Sequence, residues 1–531
     1  MSEDMKAKVA KFAPVEIGVP NERIPAGLRP VIKKLVDAAR MLDRLFLHQV
    51  AKENPRWREQ IAKDPAQRDT LAYFDIMYGP WDRLDHNKPF WGTKEKPKGA
   101  TFYPEDLTAK DLEAWIEAHP DKKDAVTGYF TVIEREGGGL GAAPYNEAYR
   151  EFLEPAGRLL EEAAALTGDA RLKTYLAKRA RAFQANDYRD SDMAWMDLGD
   201  GALEVVIGPY EVYEDELMGW KAAFESFVTL RDPEESSKLD RIKTLLPDME
   251  KNLPIPDEYK NSKRGSESPL SVVEVLFTAG DTRAGVQTSA FNLPNDEVVR
   301  EKKGSKKVML KNVIRAKHDK ILIPIAREMM LAAQAGEVSF DAFFNHTLLH
   351  EMAHGLGPGT ITVERDGRKI ETTVNRELRD LYSTIEEAKA DTLGLFETLY
   401  LVDRGFFPAE FREHVYATLV AGFFRSVRFG ATEAHGRANV IQFNYLLEKG
   451  GVVKDAEGRY GYDAAKMPGA VRSLTTDLLM IEAKGDYEAA KAFIGKYGTL
   501  SAEVVKKLSG LTAIPTDIRP TYTVEKQMEK W

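Results

Sequence analysis

The sequence predicts an α+β protein that is mostly α, with one β core assembled from separated segments. Three observations lead to that reading. Long stretches space their apolar residues at helical intervals. A few short windows are rich in β-branched and aromatic residues. No internal repeat runs through the 531 residues.

Taken in order, the first 200 residues read mostly as helix. Over 29–50, Ile32, Leu35, Val36, Ala39, Leu42 and Phe46 share one helical face. The pattern resumes over 144–185, with Gly168 as a stop after Leu166. Gly137–Gly141 reads as a flexible loop before it; Ala142 breaks a phosphate-loop register. Residues 202–213 (ALEVVIGPYEVY) read as strands around a Gly208–Pro209 break. Residues 252–269, with Pro254, Pro256, Gly265 and Pro269, read as a long loop or crossing between lobes. Strand texture returns over 271–293. The Lys302–Lys307 cluster reads as a solvated loop. Helix is expected over 310–335 and 338–356, and a tight hairpin over 361–374 around Asp366–Gly367. Three more helices are expected over 383–404, 410–430 and 433–449.

Composition bounds the chemistry. Charged residues make up 30% and apolar residues 43%, as in ordinary globular proteins. The net charge of −9 argues against non-specific nucleic-acid binding. No apolar run reaches the ~18 residues of a membrane span. The amino terminus lacks the apolar core of a secretory signal, so a cytoplasmic location is the default expectation. The chain has no cysteine, which removes disulfides, thiolate nucleophiles and Cys-ligated metals. Any metal must be held by Asp, Glu and the nine His.

Three of those His fall in FFNHTLLHEMAHGLGPG. His350, Glu351 and His354 form H-E-x-x-H, the five-residue form. Positions i and i+4 lie one turn apart on one helical face, so both imidazoles can reach one ion. Glu351 can then act as general base on a water held there. His346 reads as a buried or supporting His. Gly355, Gly357, Pro358 and Gly359 end the helix.

A catalytic zinc takes three protein ligands and a water. The extended motif that supplies a third His fails here, because Thr360 stands at its last position. The alternative is a carboxylate on a later helix, and STIEEAKAD supplies one. Ser383 and Glu386 read as a capping box at its start. Glu387 could bind the metal, while Glu386 and Asp391 hydrogen-bond the ligand imidazoles.

With these residues the sequence resembles the dipeptidyl peptidase III family of zinc peptidases, M49. HEMAH (350–354) and EEAKAD (386–391) are similar to its H-E-x-x-G-H and E-E-C-R-A-E motifs. IGPYEVY (207–213), SAFNLPND (289–296) and EAHGRANVIQFNYLLEKG (433–450) match three further segments in order. The resemblance implies one Zn2+ per chain on His350, His354 and Glu387, with Glu351 as base and Glu386 and Asp391 supporting. It implies that Tyr213 and His435 stabilise the oxyanion. It implies that Glu211 holds a free substrate amine, with Asn292, Asn295 and Asn439 on the rest of a short peptide.

It also implies two lobes around a cleft. One, with a small β core plus helices, would comprise 1–231, 276–320 and the tail 501–531. The other, helical and zinc-bearing, would comprise 232–275 and 321–500. Several positions depart from the family. The inserted Gly is missing from the zinc motif, Lys389 replaces Arg, and Asp391 replaces Glu. Asn439 replaces a substrate-contacting Arg, and Ala290 replaces Gly.

Read without the resemblance, Glu211 and Tyr213 are outward residues of a half-exposed strand, N-L-P-N is a turn, and His435 is structural. The competing functions are a zinc hydrolase of another amide, lactam or ester, and a non-catalytic peptide-binding protein. A faint likeness of 158–168 to the acidic helix of Nudix hydrolases fails, because Pro155 and Ala156 stand where that motif needs Arg-Glu.

Overall fold

The computed structural model describes residues 2–261, 269–429 and 433–531. The chain divides into two compact units. One comprises Met1–Ser236, Ser268–Val313 and Asp517–Trp531; the other comprises Ser237–Glu267 and Ile314–Thr516. Residues 314–320 and 501–516 therefore belong to the helical unit, not to the β-core lobe expected for them, and 232–236 and 268–275 belong to the β-core unit, not to the helical lobe expected for them.

The first unit joins the two ends of the chain. Strand β1 (Phe12–Ile17) pairs in parallel with the distant strand β9 (Asp517–Tyr522). Helix α1 (Arg29–Val50) buries the six apolar positions foreseen for it. It packs against α2 (Arg150–Leu166), which packs in turn on α3 (Ala170–Ala185). Asp169 caps α3 by accepting from the Arg171 and Leu172 amides, so the break at Gly168 has a mechanism. Residues 137–141 are not a flexible loop. Gly137 and Gly138, both at positive φ, turn a hairpin between β2 (Thr131–Glu136) and β3 (Gly139–Pro144).

The core of this unit is a five-stranded sheet. Its strands are β4 (Leu203–Glu211), β5 (Ala223–Arg231), β6 (Leu270–Gly280), β7 (Ala290–Leu293) and β8 (Lys306–Leu310), in the order β4-β5-β6-β8-β7. Only β6 and β8 are parallel. β4 and β5 are buried at nearly every position; α1 packs on β5 and β6, and α3 on β4. Gly208–Pro209 does not break β4; the strand continues and absorbs the irregularity as a register shift between Pro209 and Glu211. The lysine cluster is not a solvated loop either. It spans the end of the Glu297–Lys303 helix and the start of β8. Lys306 is buried, 3.2 Å from Glu204 and over the Trp195 ring.

The second unit is a helical assembly. Helix α4 (Pro233–Asn252) enters it from Ser237 onward. Residues 253–261 form the expected loop, with one turn at Asp257–Tyr259; 262–268 lie outside the described residues. Helix α5 (Phe340–Ala353) is capped by Ser339 and buries Phe344, Leu348, Leu349 and Met352. It packs along α6 (Tyr382–Asp403) and against α7 (Phe411–Ser426). Helices α8 (Ala434–Glu448) and α9 (Met467–Lys484) pack on the other sides of α6. The hairpin Thr360–Arg365 with Arg368–Thr373 links α5 to α6, turning at Asp366 and Gly367, both at positive φ. The capping box does not form. The helix begins at Tyr382, Leu381 offers no side-chain cap, and Ser383 is exposed. Glu386 is used elsewhere. No helix among the described residues is long and apolar enough to cross a membrane.

Candidate active site

The H-E-x-x-H segment occupies the last turn of α5. His354 lies one residue past the helix end but keeps helical dihedrals, and its amide reaches the His350 carbonyl at 3.3 Å. The two imidazoles are therefore one turn apart, with ring centres 4.9 Å apart and planes nearly perpendicular. Gly357, at φ +79°, bends the chain away, and its amide donates to Glu250 Oε2 at 3.0 Å.

α6 passes behind α5 at close range, and Gly394 is the reason. A Cβ there would stand 2.8 Å from the His350 nitrogen and 3.1 Å from its Cα. Real Cβ contacts do not reach the first distance, so the crossing requires glycine. This brings EEAKAD against both His. His350 Nδ1 meets Asp391 Oδ1 at 2.8 Å, and His354 Nδ1 meets Glu386 Oε1 at 2.7 Å. Each carboxylate fixes one ring nitrogen and leaves Nε2 as the free donor. His346 Nε2 meets the Asp391 carbonyl at 3.0 Å.

Glu387 faces the opening between the rings. Its Oε2 lies 3.4 Å from His350 Nε2 and 3.2 Å from His435 Nε2, yet is buried without a hydrogen-bond partner. A buried carboxylate oxygen in that state is costly unless a cation completes it. Candidate donor atoms of His350, Glu387 and His435 all lie within 4.8 Å of one another. His354 is not in that trio, although its Nδ1 bond leaves Nε2 available beside His350. His435, on α8, is exposed along 71% of its side chain. Imidazole and carboxylate donors without thiolate suit a borderline divalent ion such as zinc.

The imidazoles and carboxylates of this cluster shift one another's ionisation. Burial works against a proton on His350, but the bond to Asp391 and the Glu387 carboxylate 3.4 Å away outweigh it and push its pKa up to about 10. Burial also opposes ionisation of Glu386, yet Lys389 and His354 hold its pKa down at about 2. Asp391 and Glu387 both stay below the usual carboxylate range against burial, Asp391 through its bond to His350 and Glu387 through the His350 and His435 imidazoles beside it. In water these groups trade protons; a divalent ion would replace those protons.

Sequence reasoning missed Gln442 and Gly394, and noted Lys389 only as a replacement for Arg. Lys389, only 2% exposed, donates to Glu386 at 2.9 Å and to the Ala353 and Leu356 carbonyls. Gln442 donates to Asp391 Oδ2 at 2.9 Å. Gly394 sets the helix spacing. A small residue on a long helix after the motif was the one available signal for Gly394; Lys389 had its place within EEAKAD, and Gln442 carried none. Asn439 is engaged differently from its implied substrate role. Its amide donates to Asp391 Oδ2 at 3.2 Å and to the His435 carbonyl at 3.0 Å.

The remaining residues singled out in the sequence lie in the first unit. Glu211 is the last residue of β4, just past the register shift, and is half-buried. Burial raises its pKa, with partial relief from Asn295. Tyr213 is 78% exposed, and the charge of Glu211, then burial, keeps its phenol protonated. Asn292 is exposed on β7, the edge strand of the sheet, so the N-L-P-N run is strand rather than turn up to Leu293. The Leu293–Pro294 peptide is cis. Asn295 donates to the Tyr210 carbonyl at 2.9 Å, next to Glu211.

A helix carrying H-E-x-x-H, backed by a second helix whose carboxylates orient both His, defines a metal-dependent hydrolase. The model of peptidase family M49 matches residues 145–377. Dipeptidyl peptidase III from Caldithrix abyssi is 50% identical, with a TM-score of 0.93 over 98% of this chain and 100% of that one. Dipeptidyl-peptidase III from Corallococcus sp. strain EGB is 42% identical, with a TM-score of 0.79 over 100% and 98%. Nudix hydrolase 3 of Arabidopsis thaliana is 36% identical over 99% of this chain and 75% of its own length. The chain belongs to peptidase family M49, the dipeptidyl peptidase III family.

Proposed function

We propose that this protein is a zinc-dependent dipeptidyl peptidase that releases dipeptides from the free amino end of short peptides. The observation that carries the reading is the buried Glu387 oxygen set between the His350 and His435 imidazoles. His350, His354 and Glu387 would hold one zinc. Bound zinc supplies Lewis acidity, which acidifies a water and polarises the scissile carbonyl. Glu351 takes the proton of the attacking water and returns it to the leaving amine. Tyr213 and His435 each donate a hydrogen bond to the carbonyl oxygen as it becomes anionic, and the protonated phenol suits that task. Glu211 pairs with the substrate ammonium. The outer edge of β7, with Asn292 and Asn295, receives the extended peptide backbone.

Replacing Glu351 by Gln tests the mechanism. Turnover of a dipeptidyl substrate should fall by about 10²–10⁴-fold with zinc content unchanged by elemental analysis. Retained turnover would overturn it. A second reading, in which His350, Glu387 and His435 hold the ion, is favoured by the mutual distances of those three side chains.

A further inference from the structure

The two ligand His are supported by carboxylates of unequal electrostatic character. Glu386 behind His354 is held by a cation, the buried Lys389 ammonium at 2.9 Å. Asp391 behind His350 has neutral support at its free oxygen. Oδ2 accepts from the Gln442 amide at 2.9 Å and from the Asn439 amide at 3.2 Å. Gln442 is fully buried on α8, and Asn439 lies three residues before it on the same helix. Asp391 is one methylene shorter than Glu, so something must hold it against His350 from the far side.

We propose that Gln442 and Asn439 are positioning residues for His350: their amides clamp Asp391 and make His350 the stronger of the two imidazole donors. The inference rests on the zinc reading of this site. Two consequences follow from the chemistry of the donors. An amide N–H satisfies the carboxylate oxygen without taking its charge, so the charge stays available to the Nδ1–H of His350 and raises the basicity of Nε2. An ammonium, as on Glu386, withdraws that charge from His354. The clamp also accounts for Asn439, which stands where the family places a substrate-contacting Arg. Its amide is committed to Asp391 and the His435 carbonyl. The helix that carries His435 thereby also fixes the ligand across from it.

The test uses the zinc-loaded full chain and measures zinc release to an excess chelator. Gln442→Met keeps the volume and removes the donor; zinc release should accelerate by about 10–100-fold. Gln442→Glu keeps the shape but sets a carboxylate against Asp391, and should release zinc faster still. Asn439→Ala, at a partly exposed position, serves if the buried variants fail to fold; it too should accelerate release from the zinc-loaded protein. In a double-mutant cycle, Gln442→Met should add little to Asp391→Asn. Unchanged release in the clamp variants, additive effects in the cycle, or an Asn439→Ala change confined to KM would each overturn the clamp. A wild-type protein that binds no zinc would instead overturn the underlying zinc reading, and would do so before any variant is made.

Discussion

The two regions that hold the proposed catalytic residues are built on opposite plans. Around His350 and His354 nearly every polar group is tied down: each imidazole has its carboxylate, each carboxylate has a further donor, and two helices meet backbone to side chain. Around Glu211 and Tyr213 the groups are left wanting. The tyrosine is mostly exposed, the carboxylate is pushed toward its neutral form, and the strand beside Asn292 is an edge. The first plan suits an ion that must be held in one geometry. The second suits a chain end that arrives, reacts and leaves. A ligand that stays calls for a saturated shell, whereas one that exchanges needs partners whose bonds are unfilled until it binds.

The sharpest way to break that contrast lies on the saturated side. His354→Ala should abolish stoichiometric zinc, while His435→Ala should keep the metal and lose turnover, both read by elemental analysis alongside activity. The reverse pattern would make His435 the ligand and favour the trio of His350, Glu387 and His435. On the open side, Tyr213→Phe should lower kcat by about 10²–10³-fold, the cost of one oxyanion donor. Because the ring is exposed, its melting temperature should not move.

Glu211→Gln should cost about 1.5–3 kcal/mol in kcat/KM, the worth of a hydrogen bond to a charged group. The pH dependence gives the finer test. Only ionised Glu211 pairs with an ammonium, and burial raises its pKa. Binding should therefore be intact above that raised value and be lost as pH falls through it, at a higher pH than an exposed Glu would show. The acid limb of KM should disappear in Glu211→Gln. The smallest effect is expected from Gly394→Ala, a loss of about 1–3 kcal/mol of stability from forcing α5 and α6 apart. Faster zinc release should accompany it.

The parts legible in the sequence are those whose cause is local. His350, Glu351 and His354 are neighbours along one helix, Asp366–Gly367 sets its own turn, and the apolar face of α1 repeats within one element. What escaped depends on distant partners. β1 and β9 lie at opposite ends of the chain, and neither segment encodes the other. Ser383 and Glu386 had the spacing of a cap, yet the helix starts one residue before Ser383 and the glutamate is drawn off by His354 and Lys389. Gln442 carries no signal of its own; its role exists only because α8 crosses α6. Lys306 looked like surface in a run of lysines until Glu204 and Trp195 closed around it.

The glycine at 394 bears on how the protein would acquire the proposed ion. Because α5 and α6 touch through backbone at His350, their separation does not depend on which rotamer a side chain adopts or on what lies between the imidazoles. The receptacle is thus set when the helices dock, before any metal arrives. In small zinc modules the ion assembles the chain around itself, and stripping it unravels them. Here a bound ion would enter a finished frame. Removing zinc should leave a protein that stays folded and regains full occupancy simply by being returned to it.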